Sequence, residues 1–345
     1  MQAKIGVLLI NLGTPDSPSN GDVRKYLNEF LTDWRVIDIP VIRRQLLVRG
    51  FISPFRSRSS AESYREIWDE RGSPLKYISE DLTEALQESL DKRNDGKEYV
   101  VELAMRYQSP SIEQGLLKLR EQLVNQYIIL PLFPQYASAS TGSAHQEVMR
   151  ILSGWQTIPP VNFIQSYCDN PDFIDAFVQI GSKYKVADYD HVLFSFHGIP
   201  QRQLRKADTC DYCLKTPDCC ETRNEKNQFC YGSQCVATAH ALADRMKLSK
   251  EKYTISYQSR LGKDPWMEPY TVQVLEELAK KGHKKVLVYC PAFVADCLET
   301  IFEIAVEYQE DFEKFGGEKV QLVESLNAHP LWVKTLENMI TDNKI

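Results

Sequence analysis

The chain has 345 residues and no run approaching the roughly 18 apolar residues that a membrane-spanning helix requires, so it is expected to lack one. Positive charge is not in excess. Lys+Arg is 41 against 47 Asp+Glu, and a net charge of −6 argues against bulk nucleic-acid binding, which needs a basic face. Glycine is sparse where nucleotide chemistry would need it. The loop Asn11-Leu12-Gly13-Thr14-Pro15-Asp16 after the first apolar run holds one glycine, whereas a dinucleotide fingerprint brings backbone to a pyrophosphate with three, and no phosphate-loop Lys-Ser/Thr signature occurs. These absences disfavour a nicotinamide enzyme and an NTPase. The run Ile5–Leu12 is interrupted by Asn11 and precedes no small-residue cleavage site. It therefore reads as a buried strand rather than an export signal, and a reducing, cytoplasmic compartment is expected. Cysteine is scarce outside one segment: of nine, only Cys168, Cys290 and Cys297 lie elsewhere, and six fall between Cys210 and Cys235. In a reducing compartment such clustering favours a metal or iron–sulfur site over disulfides.

What is present is a regular alternation. Candidate strands are Ile5–Leu12, Tyr99–Tyr107, Tyr127–Phe133, Val161–Tyr167, His191–Phe196, Tyr253–Gln258, Lys285–Tyr289 and Val320–Ser325. Amphipathic stretches lie between most of them: Ser79–Lys92, Ser111–Asn125, Asp172–Tyr184, Met267–Lys281 and Leu298–Phe315. Near-continuous apolar strands separated by helices predict an α/β protein with parallel sheets covered on both faces. Eight strands over this length suit two four-stranded domains better than one large sheet. Pro159-Pro160 breaks the pattern, so a boundary is expected near Trp155–Pro160, giving domains of about 1–157 and 158–329. A last helix, within 330–345, is expected to pack back on the first domain.

Between Arg35 and Arg58 lie six arginines and one acid, Asp38, interleaved with Ile37, Ile42, Leu46, Leu47, Phe51 and Phe55 among others. Such a face can receive a flat hydrophobic carboxylate, sit on an anionic membrane, or simply cover the core with solvated arginines.

Three motifs follow predicted strands, where ligands bind in open α/β sheets. In Phe194-Ser195-Phe196-His197-Gly198-Ile199-Pro200, His197 ends a strand and can accept a proton or bind a metal. In Cys290-Pro291-Ala292-Phe293-Val294-Ala295-Asp296-Cys297-Leu298-Glu299, continuing to Glu303 and Glu307, the three glutamates are four apart and line one helical face. That face is either a solvated acidic surface or a carboxylate ladder for hard cations or protons, with Asp296 and Glu299 at its inner end. In Tyr257-Gln258-Ser259-Arg260-Leu261-Gly262-Lys263-Asp264-Pro265-Trp266, an aromatic and a guanidinium could serve a planar anion, or the Trp could anchor a turn.

With these motifs the sequence resembles the ferrochelatases, enzymes that insert ferrous iron into a porphyrin. The resemblance also rests on Gly6-Val7-Leu8-Leu9-Ile10-Asn11-Leu12-Gly13-Thr14-Pro15, Gly72-Ser73-Pro74-Leu75, Met105-Arg106-Tyr107, Pro131-Leu132-Phe133-Pro134-Gln135-Tyr136, Ser140-Thr141-Gly142-Ser143 and Ser325-Leu326-Asn327, in family order from about Lys4 to Ile340. It implies two Rossmann-like, chelatase-type domains with a porphyrin cleft between them. It implies that His197 accepts pyrrole protons or holds the incoming metal, and that Glu299, with Asp296, Glu303 and Glu307, handles Fe(II) or protons. Arg106, Tyr136 and Trp266 correspond to porphyrin-pocket positions, and the segment 35–58 to a lip that contacts porphyrin and, in some members, membrane. The implied reaction takes protoporphyrin IX and ferrous iron to protohaem with release of two protons. A coproporphyrin ferrochelatase or a cobalt chelatase is the nearest alternative, and a non-catalytic tetrapyrrole or metal carrier the alternative of a different class. Some members have His two residues before the catalytic Glu, where Cys297 stands here. The oligomeric state, monomer or dimer, stays open.

The cysteine-rich stretch, within 205–235, is polar and has no evident regular structure, so a bound metal would substitute for a core. Cys230 and Cys235 are separated by four residues, one piece of a plant-type ferredoxin spacing. Similarity to bacterial ferrochelatases with an insertion here implies a [2Fe–2S] cluster. Four thiolates suffice. Cys213, Cys220, Cys230 and Cys235 are expected to serve, with Cys219 and Cys210 as alternates, and a structural zinc with four thiolates is the rival.

Overall fold

A computed structural model describes residues 3–262 and 264–342, so Lys263 of the third motif lies outside the described residues. Among the described residues eight strands form two four-stranded sheets, every strand pair parallel. The first sheet contains β1 (Ala3–Gly13), β2 (Lys97–Tyr107), β3 (Gln126–Pro131) and β4 (Val161–Phe163), in the order β2-β1-β3-β4. The second contains β5 (His191–His197), β6 (Tyr253–Gln258), β7 (Lys285–Tyr289) and β8 (Lys319–Leu322), in the order β6-β5-β7-β8. The same second-first-third-fourth order in both sheets is the two-fold echo that residue matching alone does not reveal.

The apolar runs explain the strands. Val7, Leu8, Leu9 and Ile10 of β1 are fully buried because helices cover both faces of the sheet. Leu8 and Ile10 meet Ile112, Leu116 and Leu119 of the helix Ile112–Glu121 and Val148 of the helix Ser143–Leu152. Ser111 starts the former helix with a capping box: its hydroxyl accepts from the Gln114 N–H, and the Gln114 side chain accepts from the Ser111 N–H. Gly13 ends β1 at φ +110°, where a Cβ would lie 2.0 Å from the Tyr107 carbonyl oxygen, so no other residue fits there.

The boundary differs from the expected Trp155–Pro160. Val161–Phe163 pairs with Tyr127–Ile129 as the edge of the first sheet, and the chain passes into the second unit after Gln165. Pro159-Pro160 therefore ends a connection within the first unit. The helix Pro330–Thr341 belongs to the first unit and packs on the helix Pro74–Asp91; there Glu337 accepts from Ser89 and Arg93.

The segment 35–58 folds as a helix, Val41–Leu47, a π-helical turn, Val48–Ile52, and the start of the helix Ser53–Ile67. Val48 is buried in the core, but several of the segment's other large apolar side chains face solvent. Ile42 is 72% exposed, Leu46 66%, Phe51 64% and Phe55 76%. Arg44 is instead buried, with its guanidinium donating to the Ile37 and Ile39 carbonyls. No described helix is long and apolar enough to cross a membrane.

The stretch Leu298–Phe315, expected as one amphipathic helix, splits into a π-helix, Leu298–Glu307, and an α-helix, Tyr308–Lys314. A π-helix closes its hydrogen bonds at i→i+5, so the turn is wider than the α spacing assumed for the glutamates, and such turns concentrate at functional sites.

Candidate active site

The second unit gathers the motif residues at the carboxyl ends of β5, β6 and β7. His197 is the last residue of β5, the strand flanked by β6 and β7, and pairs in register with Gln258 of β6. Its ring is half-buried and packs 6.3 Å, centroid to centroid, from Phe293. Nδ1 lies 2.7 Å from the Gly198 carbonyl oxygen. A carbonyl only accepts, so Nδ1 carries a hydrogen, and in the neutral ring the lone pair is then on Nε2. The peptide between His197 and Gly198 is held at both ends: its oxygen accepts from the Tyr231 hydroxyl at 2.7 Å, and its N–H donates to the Gln258 carbonyl at 2.9 Å.

Gln258 is buried and fully engaged. Its Oε1 accepts from Ser195 Oγ at 2.9 Å, and its Nε2 donates to the Glu299 carbonyl at 2.9 Å and to Glu303 Oε2 at 3.0 Å. One amide thus joins the strand of His197 to the π-helix of Glu299. Glu303 accepts three further bonds, from Ser259 N (2.9 Å), Ser259 Oγ (2.6 Å) and Tyr308 OH (2.9 Å). Ser259 sits at φ +65°, and the carboxylate holds that turn. Burial, and after it the Glu303 charge, pushes the Tyr308 phenol up, which keeps it a donor. Glu303 is therefore occupied in fastening the loop after β6.

The remaining acids differ from one another. Asp296 is buried; its Oδ1 accepts from Thr300 Oγ1 at 3.0 Å and from the Ser325 N–H at 3.1 Å, which ties the start of the π-helix to the chain after β8. Glu299 is half-buried, and the Cys297 thiol donates to its carboxylate. Burial first and the Glu299 charge second push that thiol well up, so Cys297 is a neutral donor where an imidazole would be a base. Glu307 is exposed; desolvation against the helix, then repulsion from Glu303, Asp311 and Glu310, raises its carboxyl above the usual range.

Trp266 is buried beside His197. Its backbone bridges Pro200, its carbonyl accepts from Gln201 Nε2 at 3.1 Å, and a Cβ on Gly198 would come within 3.4 Å of its ring. Tyr136 is half-buried, and its N–H donates to Gln234 Oε1 at 2.7 Å. Arg106, in the first unit, pairs with Asp33 at 2.9 Å, donates to Ser143 at 2.7 Å and lies over the Tyr107 ring. Its guanidinium is thus committed to an internal network. Gln258, Ser259, Tyr231 and Tyr308 carry bonds of this site although no motif in the sequence marks them as site residues. The signal in the sequence is the pair Gln258-Ser259, polar residues where β6 ends and its loop begins.

The thiols group differently from the expected set. Cys230 stands at the position just before the helix Tyr231–Arg245 and accepts from the Cys213 and Cys220 thiols; Cys219 Sγ lies 3.8 Å from Cys220 Sγ. The bonds from Cys213 and Cys220, and then the N–H groups of Ser233 and Gly232, pull the Cys230 thiol well below its usual range. Cys235 does not join them. One helical turn on, it is fully buried beside Tyr231 and Cys168, and burial pushes its thiol well up. Cys210 is exposed and donates to Asp208. Among the described residues no three His, Cys, Asp or Glu side chains converge on a metal position.

Two parallel sheets of identical strand order, with a histidine and an acidic π-helix at strand ends, define a chelatase-type α/β protein. SirB from Bacillus subtilis with Fe3+ shares this fold, with a TM-score of 0.53 over 98% of this chain and 95% of that one at 12% identity. The sirohydrochlorin chelatase SirB from Bacillus subtilis subspecies spizizenii in complex with cobalt aligns over 98% and 94%, also at 0.53 with 10% identity. The family model for ferrochelatase matches residues 4–344. A ferrochelatase of Legionella pneumophila (strain Paris) is 45% identical over 337 residues, 98% of each chain, and one of Coxiella burnetii is 42% identical over 337 residues, 97% of this chain and 93% of the relative. The chain belongs to the ferrochelatase family, the porphyrin metal chelatases of the lyase class.

Proposed function

We propose that the protein inserts ferrous iron into protoporphyrin IX, releasing two protons to give protohaem. The observation that carries this reading is the His197 tautomer. The Gly198 carbonyl binds Nδ1 and leaves Nε2 free to accept a pyrrole proton at a strand end. Glu299, brought from the next motif by the Gln258 amide, supplies a half-buried carboxylate for the dication or for a second proton. A free-base porphyrin must lose both pyrrole protons and bend before the metal sits, and the aromatic side chains beside His197, Phe293 against its ring and Trp266 beyond Gly198, offer apolar surface for a macrocycle. Glu303 and Asp296 act by position, since their carboxylates already accept bonds that shape the site.

The thiols of Cys213, Cys219, Cys220 and Cys230 fit a [2Fe–2S] cluster by chemistry: four sulfur donors in one polar segment, one of them favouring the thiolate. Such a cluster would supply a one-electron centre and a cross-link for a segment that lacks its own core. The exposed apolar and arginine-rich segment 35–58 suits contact with porphyrin or with an anionic membrane surface.

Anaerobic assays with Fe(II), Co(II) and Zn(II), each against protoporphyrin IX and coproporphyrin, test the reading. Fe(II) with protoporphyrin IX is expected to be fastest, and His197→Ala to lower that rate by at least about 10²-fold, the usual scale of a general base. Preference for coproporphyrin or cobalt would replace the substrate assignment. No insertion of any metal would mark a carrier.

A further inference from the structure

Tyr231 joins two places that the reaction scheme leaves unconnected. It follows Cys230 directly, and its hydroxyl donates to the His197 carbonyl at 2.7 Å. Tyr231 is buried, so no water can replace this donor at low cost. Beside it the packing is close: a Cβ on Gly232 would lie 3.1 Å from Cys220 Sγ and 3.2 Å from Met267 Cε, so the thiol group touches the helix turn that carries Tyr231. Met267 N in turn donates to the Ile199 carbonyl, two residues beyond His197. The same peptide that receives the Tyr231 hydroxyl passes its N–H to Gln258, and the Gly198 carbonyl fixes the imidazole.

We infer that Tyr231 is a positioning residue for His197 and that it transmits the arrangement of the Cys213, Cys219, Cys220 and Cys230 thiols to the imidazole. A shift of Cys230 moves the first residue of the helix, and with it the donor that sets the plane of the His197–Gly198 peptide. Rotation of that plane displaces Gly198, and the ring bonded to it turns away from the substrate. The inference rests on reading His197 as the proton acceptor; the thiol-to-peptide link itself needs only the geometry above.

The test uses the full-length protein, with Tyr231→Phe, Cys213→Ser and the double variant; Cys213→Ala substitutes if Cys213→Ser does not fold. Tyr231→Phe is expected to lower kcat about tenfold, the scale of one buried hydrogen bond, with KM for the porphyrin within about twofold and Tm lowered by only a few degrees. It is also expected to speed hydrogen exchange at the Gly198 N–H. Cys213→Ser is expected to lower kcat and speed that exchange in the Tyr231 background, but to change neither once Tyr231 is Phe. Unchanged kcat and unchanged Gly198 exchange in Tyr231→Phe would overturn the positioning role. Equal effects of Cys213→Ser in both backgrounds would overturn the transmission. A wild type inserting no metal would sink the proposed function instead, and the exchange measurement would still decide the link.

Discussion

Glu303 and Gln258 are bonded at 3.0 Å, and through this pair the acidic π-helix is fastened to the strand beside His197. The carboxylate also takes both donors of Ser259 and the Tyr308 hydroxyl, so it behaves as a fastener with its lone pairs already committed. Glu307, one step further out, is exposed and repelled by Glu303, Asp311 and Glu310.

The two glutamates should therefore respond differently to truncation. Glu303→Ala strands the Ser259 N–H and the Gln258 amide and is expected to cost about 2–3 kcal/mol of stability, with a fall in kcat as the loop after β6 loosens. Glu307→Ala removes like-charge repulsion and is expected to leave stability within about 0.5 kcal/mol. Thermal unfolding of both variants, with KM for Fe(II), checks this. An equal rise in KM for iron with no loss of stability in either would restore a ladder in which both acids pass the metal.

The thiol set makes a second, sharper comparison. Cys219→Ser is expected to abolish the red-brown absorbance and bound iron and sulfide of the purified protein, whereas Cys235→Ala keeps them and loses only stability, since it opens a small space in a closed interior. Stoichiometric zinc without colour would put a zinc site in place of the cluster. Loss of the group in Cys235→Ala with retention in Cys219→Ser would reverse the assignment.

Strand identity was legible because β1 and β5 are buried on both faces and read as unbroken apolar runs. The end of the first unit was not. Pro159-Pro160 is a visible break, but only the register of Val161–Phe163 with Tyr127–Ile129 shows which sheet the next strand joins. Cys235 could have been set apart: Tyr231, Cys235, Val236, Ala239 and Leu242 recur at helical spacing, and a helix starting at Tyr231 turns Cys235 inward. The π-helix left no such mark, since Glu299, Glu303 and Glu307 keep the spacing of four that an α-helix would also show.

The segment 35–58 predicts a separation of binding from stability. Ile42, Phe51 and Phe55 are mostly exposed, so replacing all three with Ser is expected to shift Tm by no more than about 2 °C. The same variant should lose at least about tenfold in co-sedimentation with vesicles containing anionic lipid, because the apolar area that would enter the interface is gone. Unchanged vesicle binding with a raised KM for porphyrin would assign the face to the substrate alone.

Glu337 makes the stability of the first unit depend on acid. Burial alone would raise its carboxyl, but donors from Lys334, Ser89 and Arg93 outweigh this and bring it down to about 2 from 4.5. The Arg93 and Lys334 contacts are 2.7 and 2.8 Å, on a side chain that is nearly closed to solvent. The folded value lies below the unfolded one, so the contribution is complete above about pH 4.5 and is lost as pH falls toward 2, in total about 3 kcal/mol. Glu337→Gln keeps the shape and removes the charge. Chemical denaturation of both proteins should show a stability gap at pH 6 that closes between about pH 4.5 and 2. A gap that stays constant with pH would mean that the helix Pro330–Thr341 is held by its apolar face and not by this carboxylate.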